Sequence, residues 1–282
     1  MSTAIKTNEY LAFACQLARD VGQRLKAAAG HSRASLKGDG TLVTTADQET
    51  DQALASAIRK RFPGHGIISE EQETIYHGEL FCWVVDPIDG TTNFARGLAI
   101  WGISIALLHA GQPLLGVLEF PALNQHYHAV RDRGAFLGQN RLHVREPGAH
   151  KQMEFLTICS RSGRYFEVSL PYKVRALGCV TYHLASVASG SVMVSVEASP
   201  RVWDLAAGWL MIREASGVVG PLLEDGPLPF PLVAGRDYAR RPFPLLSAAS
   251  QEAWTEAHQR LVLKPAGKTM ARELRKREWV LP

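Results

Sequence analysis

The stretch Cys82-Trp83-Val84-Val85-Asp86-Pro87-Ile88-Asp89-Gly90-Thr91-Thr92-Asn93-Phe94 decides how this chain is read. Its short apolar run reads as a buried strand. That strand delivers two carboxylates, Asp86 and Asp89, on either side of Pro87. Gly90, Thr91 and Thr92 follow at once, as at a helix start. Carboxylates at a strand end bind hard divalent cations, and free N–H groups at the positive end of a helix dipole bind an anion. A cation site beside a phosphate site is the layout of a Mg²⁺-dependent phosphatase. Taken alone, Asp-Pro-x-Asp-Gly fits a surface turn equally well; acidic segments elsewhere in the chain shift the balance.

The chain has 282 residues, 46% of them hydrophobic, enough for one long domain or two halves sharing an interface. Its formal charge of +4, from 31 basic and 27 acidic residues, is a mild excess that is poor evidence for nucleic-acid binding and suits small anionic substrates slightly better than cationic ones. Cys15, Cys82, Cys159 and Cys179 lie far apart with no C-x-x-C pair, so neither a zinc site nor a disulfide framework is expected. The N-terminal residues carry no hydrophobic signal segment, and the most apolar stretch, 98–108, is too short to span a bilayer. These features predict a soluble, cytoplasmic protein without membrane contact.

Leu11, Ala14, Cys15, Ala18, Val21 and Leu25 recur at helical spacing and predict a helix over residues 9–29. A second helix is expected from Asp47, with Thr45 or Asp47 as its cap and Leu54, Ile58 and Phe62 inward. A short strand before Glu70 and Glu71 follows, and then the Asp86 strand. Apolar runs at 101–108, 114–120, 125–130 and 135–137, separated by turns, predict a largely antiparallel sheet. Beyond residue 147, strands at 155–158, 172–177 and 193–196 alternate with helices at 183–189 and 205–215, an α/β pattern. The expected division is residues 1–146, 147–264 and a basic tail, 265–282, forming a terminal helix only loosely tied to the core. Glu273 and Glu278 interrupt the tail's charge and no aromatic platform accompanies it, so nucleic-acid binding is not expected.

Four segments in order resemble the inositol monophosphatase family, within the lithium-sensitive, metal-dependent sugar and nucleotide phosphatases. They are Leu42-Val43-Thr44-Thr45-Ala46-Asp47, Gly66-Ile67-Ile68-Ser69-Glu70-Glu71, Trp83 to Phe94, and Trp203-Asp204-Leu205-Ala206-Ala207-Gly208 with Glu214-Ala215-Ser216-Gly217. The resemblance implies a layered α-β-α-β-α fold, of α/β (α+β) class, and a homodimer. It implies two or three Mg²⁺ ions held by Glu70, Asp86, the Ile88 carbonyl, Asp89 and Asp204. It also implies hydrolysis of a phosphate monoester by a metal-activated water, with Asp47 and Thr91 steering the proton and Glu70 assisting. Gly90, Thr91 and Thr92 are expected to present N–H groups to the phosphate, and Lys37 matches a family lysine on a loop near the metals. The family commonly has aspartate before Leu-Val-Thr, where this chain has Thr41.

Substrate identity is expected in the second half. By resemblance, Gly178 and Cys179 lie beside the sugar ring and Glu197 accepts hydrogen bonds from substrate hydroxyls, while Arg201 either contacts a second anionic group or faces solvent. Asp89 and Asp204 are expected to touch substrate as well. The leading expectation is a small phosphorylated polyol or sugar, inositol monophosphate first. Fructose 1,6-bisphosphate, histidinol phosphate and 3′(2′),5′-bisphosphate nucleotides stay open, as does a catalytically weak regulatory or binding protein on the same scaffold.

Overall fold

The computed structural model describes residues 3–32, 34–36, 42–146, 148, 150–223, 226–239 and 241–276. The strand Phe81–Asp89 belongs to a seven-stranded sheet. In spatial order its strands are Asn140–Arg141, Gly134–Leu137, Gln125–Val130, Gln112–Phe120, Gly102–His109, Phe81–Asp89 and Gly66–Ser69. Every neighbouring pair is antiparallel except the last, in which Gly66–Ser69 runs parallel to Phe81–Asp89.

Side chains alternate faces along a strand. Trp83 and Val85 pack with Ala14, Ala18, Leu54 and Ile58 of the helices Thr3–Ala28 and Thr45–Arg61. Cys82 and Val84 join the cluster that holds Leu184, Leu205 and Ala206 of the helices Val180–Ala188 and Val202–Glu214. Both faces are covered, and that is why this antiparallel strand reads as a continuous apolar run. The second helix pair sits close: a Cβ on Gly116 would lie 2.7 Å from the Ala207 Cα.

A second sheet of five strands has the order Lys173–Arg175, Phe155–Ile158, Val194–Glu197, Leu245–Ala248 and Val218–Pro221. Its first three strands are parallel and its last two antiparallel to their neighbours. Ala253 and Ala257 of the helix Gln251–Gln259 pack on its other side. The succession of helices, sheet, helices, sheet and helix is the expected α-β-α-β-α layering. One core cluster runs from Ile68 to Leu245, so the helices of the second half share their packing with the first sheet.

Two local expectations change. Thr44, not Thr45 or Asp47, is the N-cap of Thr45–Arg61; its hydroxyl accepts from Asp47 N while the Asp47 side chain reaches back to Thr44 N, a reciprocal capping box. The terminal helix Pro265–Lys276 is packed in, not loosely tied: Gly267, Ala271 and Leu274 are buried, and the Leu274 carbonyl accepts from the buried Arg241. The four cysteines are free. Among the described residues no helix is long and apolar enough to cross a membrane.

Candidate active site

Asp86 and Asp89 are an odd number of residues apart, which on a regular strand would send them to opposite faces. The ladder slips between them: Asp86 pairs with Ser104, and Asp89 with Gly102. The extra residue between Asp86 and Asp89 is a bulge, a place where a proline such as Pro87 is tolerated inside a sheet, and it turns both carboxylates to the same side. Asp204 meets them from the first turn of Val202–Glu214, held by the Arg201 N–H donating to its Oδ2 at 2.7 Å. Asp86, Asp89 and Asp204 each offer a carboxylate oxygen, and these oxygens all lie within 4.8 Å of one another.

Three carboxylates this close cannot all stay ionised without a cation. Burial first, and then Glu70, Asp89 and Asp204, push the Asp86 carboxyl well above the usual range. Burial, followed by Asp89 and Glu70, does the same to Asp204. Hard oxygen donors at this spacing fit Mg²⁺, with Glu70 on the wall of the same cleft. Asp86 and Asp204 therefore give up their protons less readily than free carboxyls, and a divalent cation would favour their ionised forms. Mg²⁺ titrated calorimetrically in buffers of different ionisation enthalpy should give different heats, and its affinity should rise with pH. Identical heats in all buffers would show that the carboxylates are already ionised.

The cleft has a volume of about 420 Å³ and is lined by Leu36, Leu42, Glu70, Asp86, Ile88, Asp89, Gly90, Thr91, Thr92, Arg161, Gly178 and Asp204. Thr91 opens the short helix Thr91–Ala95, whose N-cap Gly90 sits at φ +84°, where glycine is favoured. The Thr91 hydroxyl lies 3.1 Å from Asp47 Oδ1 and 3.0 Å from the Ile88 carbonyl, so its one proton has two acceptors. Asp47 Oδ2 accepts from Thr44 N at 2.8 Å and from Thr44 Oγ1 at 2.5 Å. Asp47 is thus a capping residue and the partner of Thr91 at once. Burial raises its pKa, and the Thr44 and Thr91 hydrogen bonds offset part of that shift.

Several supporting residues escaped the sequence reading. Asp89 Oδ2 accepts from Thr181 N at 2.6 Å, Thr181 Oγ1 at 2.7 Å and the Cys179 thiol at 3.2 Å, which fixes the carboxylate plane. Burial, and then Asp89, raise the Cys179 pKa, so this thiol keeps its proton and donates. Asn93 Nδ2 donates to the carbonyls of Ile100 and Leu177, both at 2.7 Å, while the Leu177 N–H donates to His183 Nε2 at 3.1 Å. Gly178, next in the chain, is clamped by these bonds on the cleft wall. The fully buried Asp51 takes the Ser69 hydroxyl at 3.2 Å and the Gln72 amide at 2.5 Å, spanning the turn that carries Glu70. Contacts so distant in sequence carry no motif; only the polar residues amid apolar helical positions mark them.

Glu70, Ile88, Gly90, Thr92 and Gly178 line the cleft, and Cys179 lines a smaller cavity beside it. Glu197 does not face the cleft. It is fully buried, its Oε1 taken by His183 Nδ1 and Ser195 Oγ, both at 2.7 Å, and its Oε2 is buried without a hydrogen-bond partner. A hydroxyl of a substrate in the cleft does not reach a carboxylate enclosed this way. Arg201 lines neither cavity either; its backbone holds Asp204. Arg161, unremarked in the sequence, lines both. Lys37 and Thr41 lie outside the described residues.

Comparison with known proteins follows the same lines. The sequence model of the inositol monophosphatase family matches residues 6–262. The chain is 34% identical over 272 residues to an inositol-1-monophosphatase of Mesorhizobium japonicum, covering 90% of this chain and 92% of that protein. It is 37% identical over 202 residues to a histidinol-phosphatase of Mycobacterium tuberculosis, covering 66% of this chain and 76% of that one. An IMPase structure from Thermotoga maritima superposes with a TM-score of 0.75 at 27% identity, covering 89% of this chain and 97% of the other. The match along nearly the whole length, together with the carboxylate cluster it spans, establishes that this chain belongs to the inositol monophosphatase family.

Proposed function

We propose that the protein is a Mg²⁺-dependent hydrolase of small phosphate monoesters, with a phosphorylated sugar or polyol as its substrate class. The observation that carries this reading is the three-carboxylate cluster within 4.8 Å, in one cleft with the Thr91–Asp47 pair. Asp86, Asp89 and Asp204, with Glu70 and the Ile88 carbonyl alongside, would hold Mg²⁺, which when bound would supply positive charge to the phosphoryl oxygens and the attacking water. The protein's own groups do the rest. Thr91 Oγ1 accepts a hydrogen bond from the water and passes its own proton towards Asp47 Oδ1. The raised pKa of Asp47 brings it nearer the operating pH, where a carboxylate is a better proton acceptor. Gly90, Thr91 and Thr92 present backbone N–H groups on the cleft wall to the phosphate. A homodimer in the cytoplasm is part of the same proposal.

Inositol 1-phosphate, fructose 1,6-bisphosphate, histidinol phosphate and 3′-phosphoadenosine 5′-phosphate, assayed side by side, test it. Phosphate release from at least one is expected with Mg²⁺ and none with EDTA. Release that persists in EDTA, or none from any compound at saturating Mg²⁺, would overturn the reading and favour a binding protein on this scaffold.

A further inference from the structure

Beside the cleft, and sharing Asp89, Arg161 and Gly178 with it, lies a second cavity of about 180 Å³. The shared residues make this cavity the neighbour of any ester whose phosphate sits at the carboxylate cluster. From the lining chemistry we propose that it receives a second anionic group of the substrate, a phosphate or a carboxylate, held by Arg161. This inference rests on the phosphatase reading and narrows its substrate class.

Four observations point the same way. Arg161 is exposed, and it is the only arginine or lysine among the described residues that line either cavity. Among the described residues its guanidinium has no hydrogen-bond or ion-pair partner, so no internal carboxylate neutralises it. The one carboxylate on this cavity, Asp89, is committed to Thr181, Cys179 and the metal cluster. His183, also on the wall, contributes no charge. Its Nε2 accepts the Leu177 N–H and so carries no proton, and its Nδ1–H donates to Glu197.

What remains is a planar guanidinium with the hydroxyl-bearing residues Ser160 and Ser199. A guanidinium with five donors in a fixed fork binds phosphate and carboxylate oxygens in pairs. It offers a neutral hydroxyl only a weaker bond and repels an ammonium group. The carboxylate that would favour a polyol, Glu197, is enclosed behind His183. The subsite therefore selects a substrate anionic at both ends.

The test compares Arg161→Gln and Arg161→Lys with the unaltered protein at saturating Mg²⁺. The probes are fructose 1,6-bisphosphate, 3-phosphoglycerate, inositol 1-phosphate, histidinol phosphate and 4-nitrophenyl phosphate. The unaltered protein should favour the first two in kcat/KM, the bisphosphate and the phosphorylated acid separating the two sources of the second anion. A charged hydrogen bond lost on Arg161→Gln should lower kcat/KM on the preferred dianion about tenfold to a hundredfold more than on 4-nitrophenyl phosphate. Arg161→Lys should restore part of that difference, mostly through KM. Equal losses on all probes, or a preference for inositol 1-phosphate that Arg161→Gln leaves intact, would overturn the subsite. If no probe is hydrolysed, the phosphatase reading falls by itself. The subsite is then read from thermal stabilisation by the same compounds with Mg²⁺. Stabilisation by fructose 1,6-bisphosphate or 3-phosphoglycerate beyond that by 4-nitrophenyl phosphate, lost in Arg161→Gln, supports it, and no such difference overturns it.

Discussion

Replacing Asp86 with asparagine is expected to abolish Mg²⁺-dependent phosphate release while making the metal-free protein more stable. The two effects have one origin. Asp86 is buried beside Asp89 and Asp204, with Glu70 adding to the local negative charge. Removing its charge takes away the central donor for the cation, and with it the charge that neutralises the phosphoryl group. Losing several kcal/mol of such stabilisation costs about a thousandfold or more in rate. Asparagine retains an oxygen for the Ile88 N–H, which donates to Asp86 Oδ1 at 3.0 Å, so the bulge should survive.

In the metal-free fold, the same change relieves like-charge repulsion at neutral pH and should raise Tm. The sign with pH follows from the raised pKa values of Asp86 and Asp204. The folded state holds protons that the unfolded chain has released, so the repulsion is present at neutral pH and fades as pH falls through the folded pKa. The stability gain of Asp86→Asn should therefore shrink on acidification. Near-full turnover at saturating Mg²⁺, or a lower metal-free Tm at pH 7, would show that Asp86 is not the centre of the cation site.

Thr91→Val and Asp47→Asn should each lower kcat about a hundredfold to ten-thousandfold, the usual scale for a positioned proton acceptor. Mg²⁺ binding to the Asp86 cluster should persist in both variants. Thr91→Val leaves the Thr44–Asp47 capping box in place and should fold with nearly unchanged stability. Asp47→Asn perturbs that box, so about 1 kcal/mol of stability is at risk as well. Because the Thr91 hydroxyl and Asp47 Oδ1 are 3.1 Å apart and act on one proton, the double variant should be little worse than the poorer single one. Additive losses would mean that the two residues serve separate steps.

Sequence by itself determined the strand that carries Asp86 and Asp89 and, through its resemblance to a known family, the layering and the chain segments that meet at the cleft. The strand is a consequence of local composition. A strand buried on both faces must be apolar throughout, and a proline inside it demands a bulge; both marks stand within residues 82–94. The capping of Thr45–Arg61 missed by one residue because Thr44, Thr45 and Asp47 are all competent caps, and the backbone conformation at Thr44 decides among them. The direction in which Glu197 points belongs to the tertiary structure alone. Its placement depends on His183, fourteen residues earlier on the adjoining helix, and on Ser195 two residues before it. Arg161 carries no motif, and its position between two cavities comes from how the second sheet is laid over the helices that cover the first. The terminal helix reads as a basic, polar tail, but Ala271 and Leu274 find a surface that exists only once the rest of the chain has folded. Two carboxylates of the cluster, Asp86 and Asp89, stand in one short segment because a few backbone steps bring them together, whereas Asp204 joins them only through packing. The substrate pocket is assembled from distant segments, and only their packing decides which side chains face it.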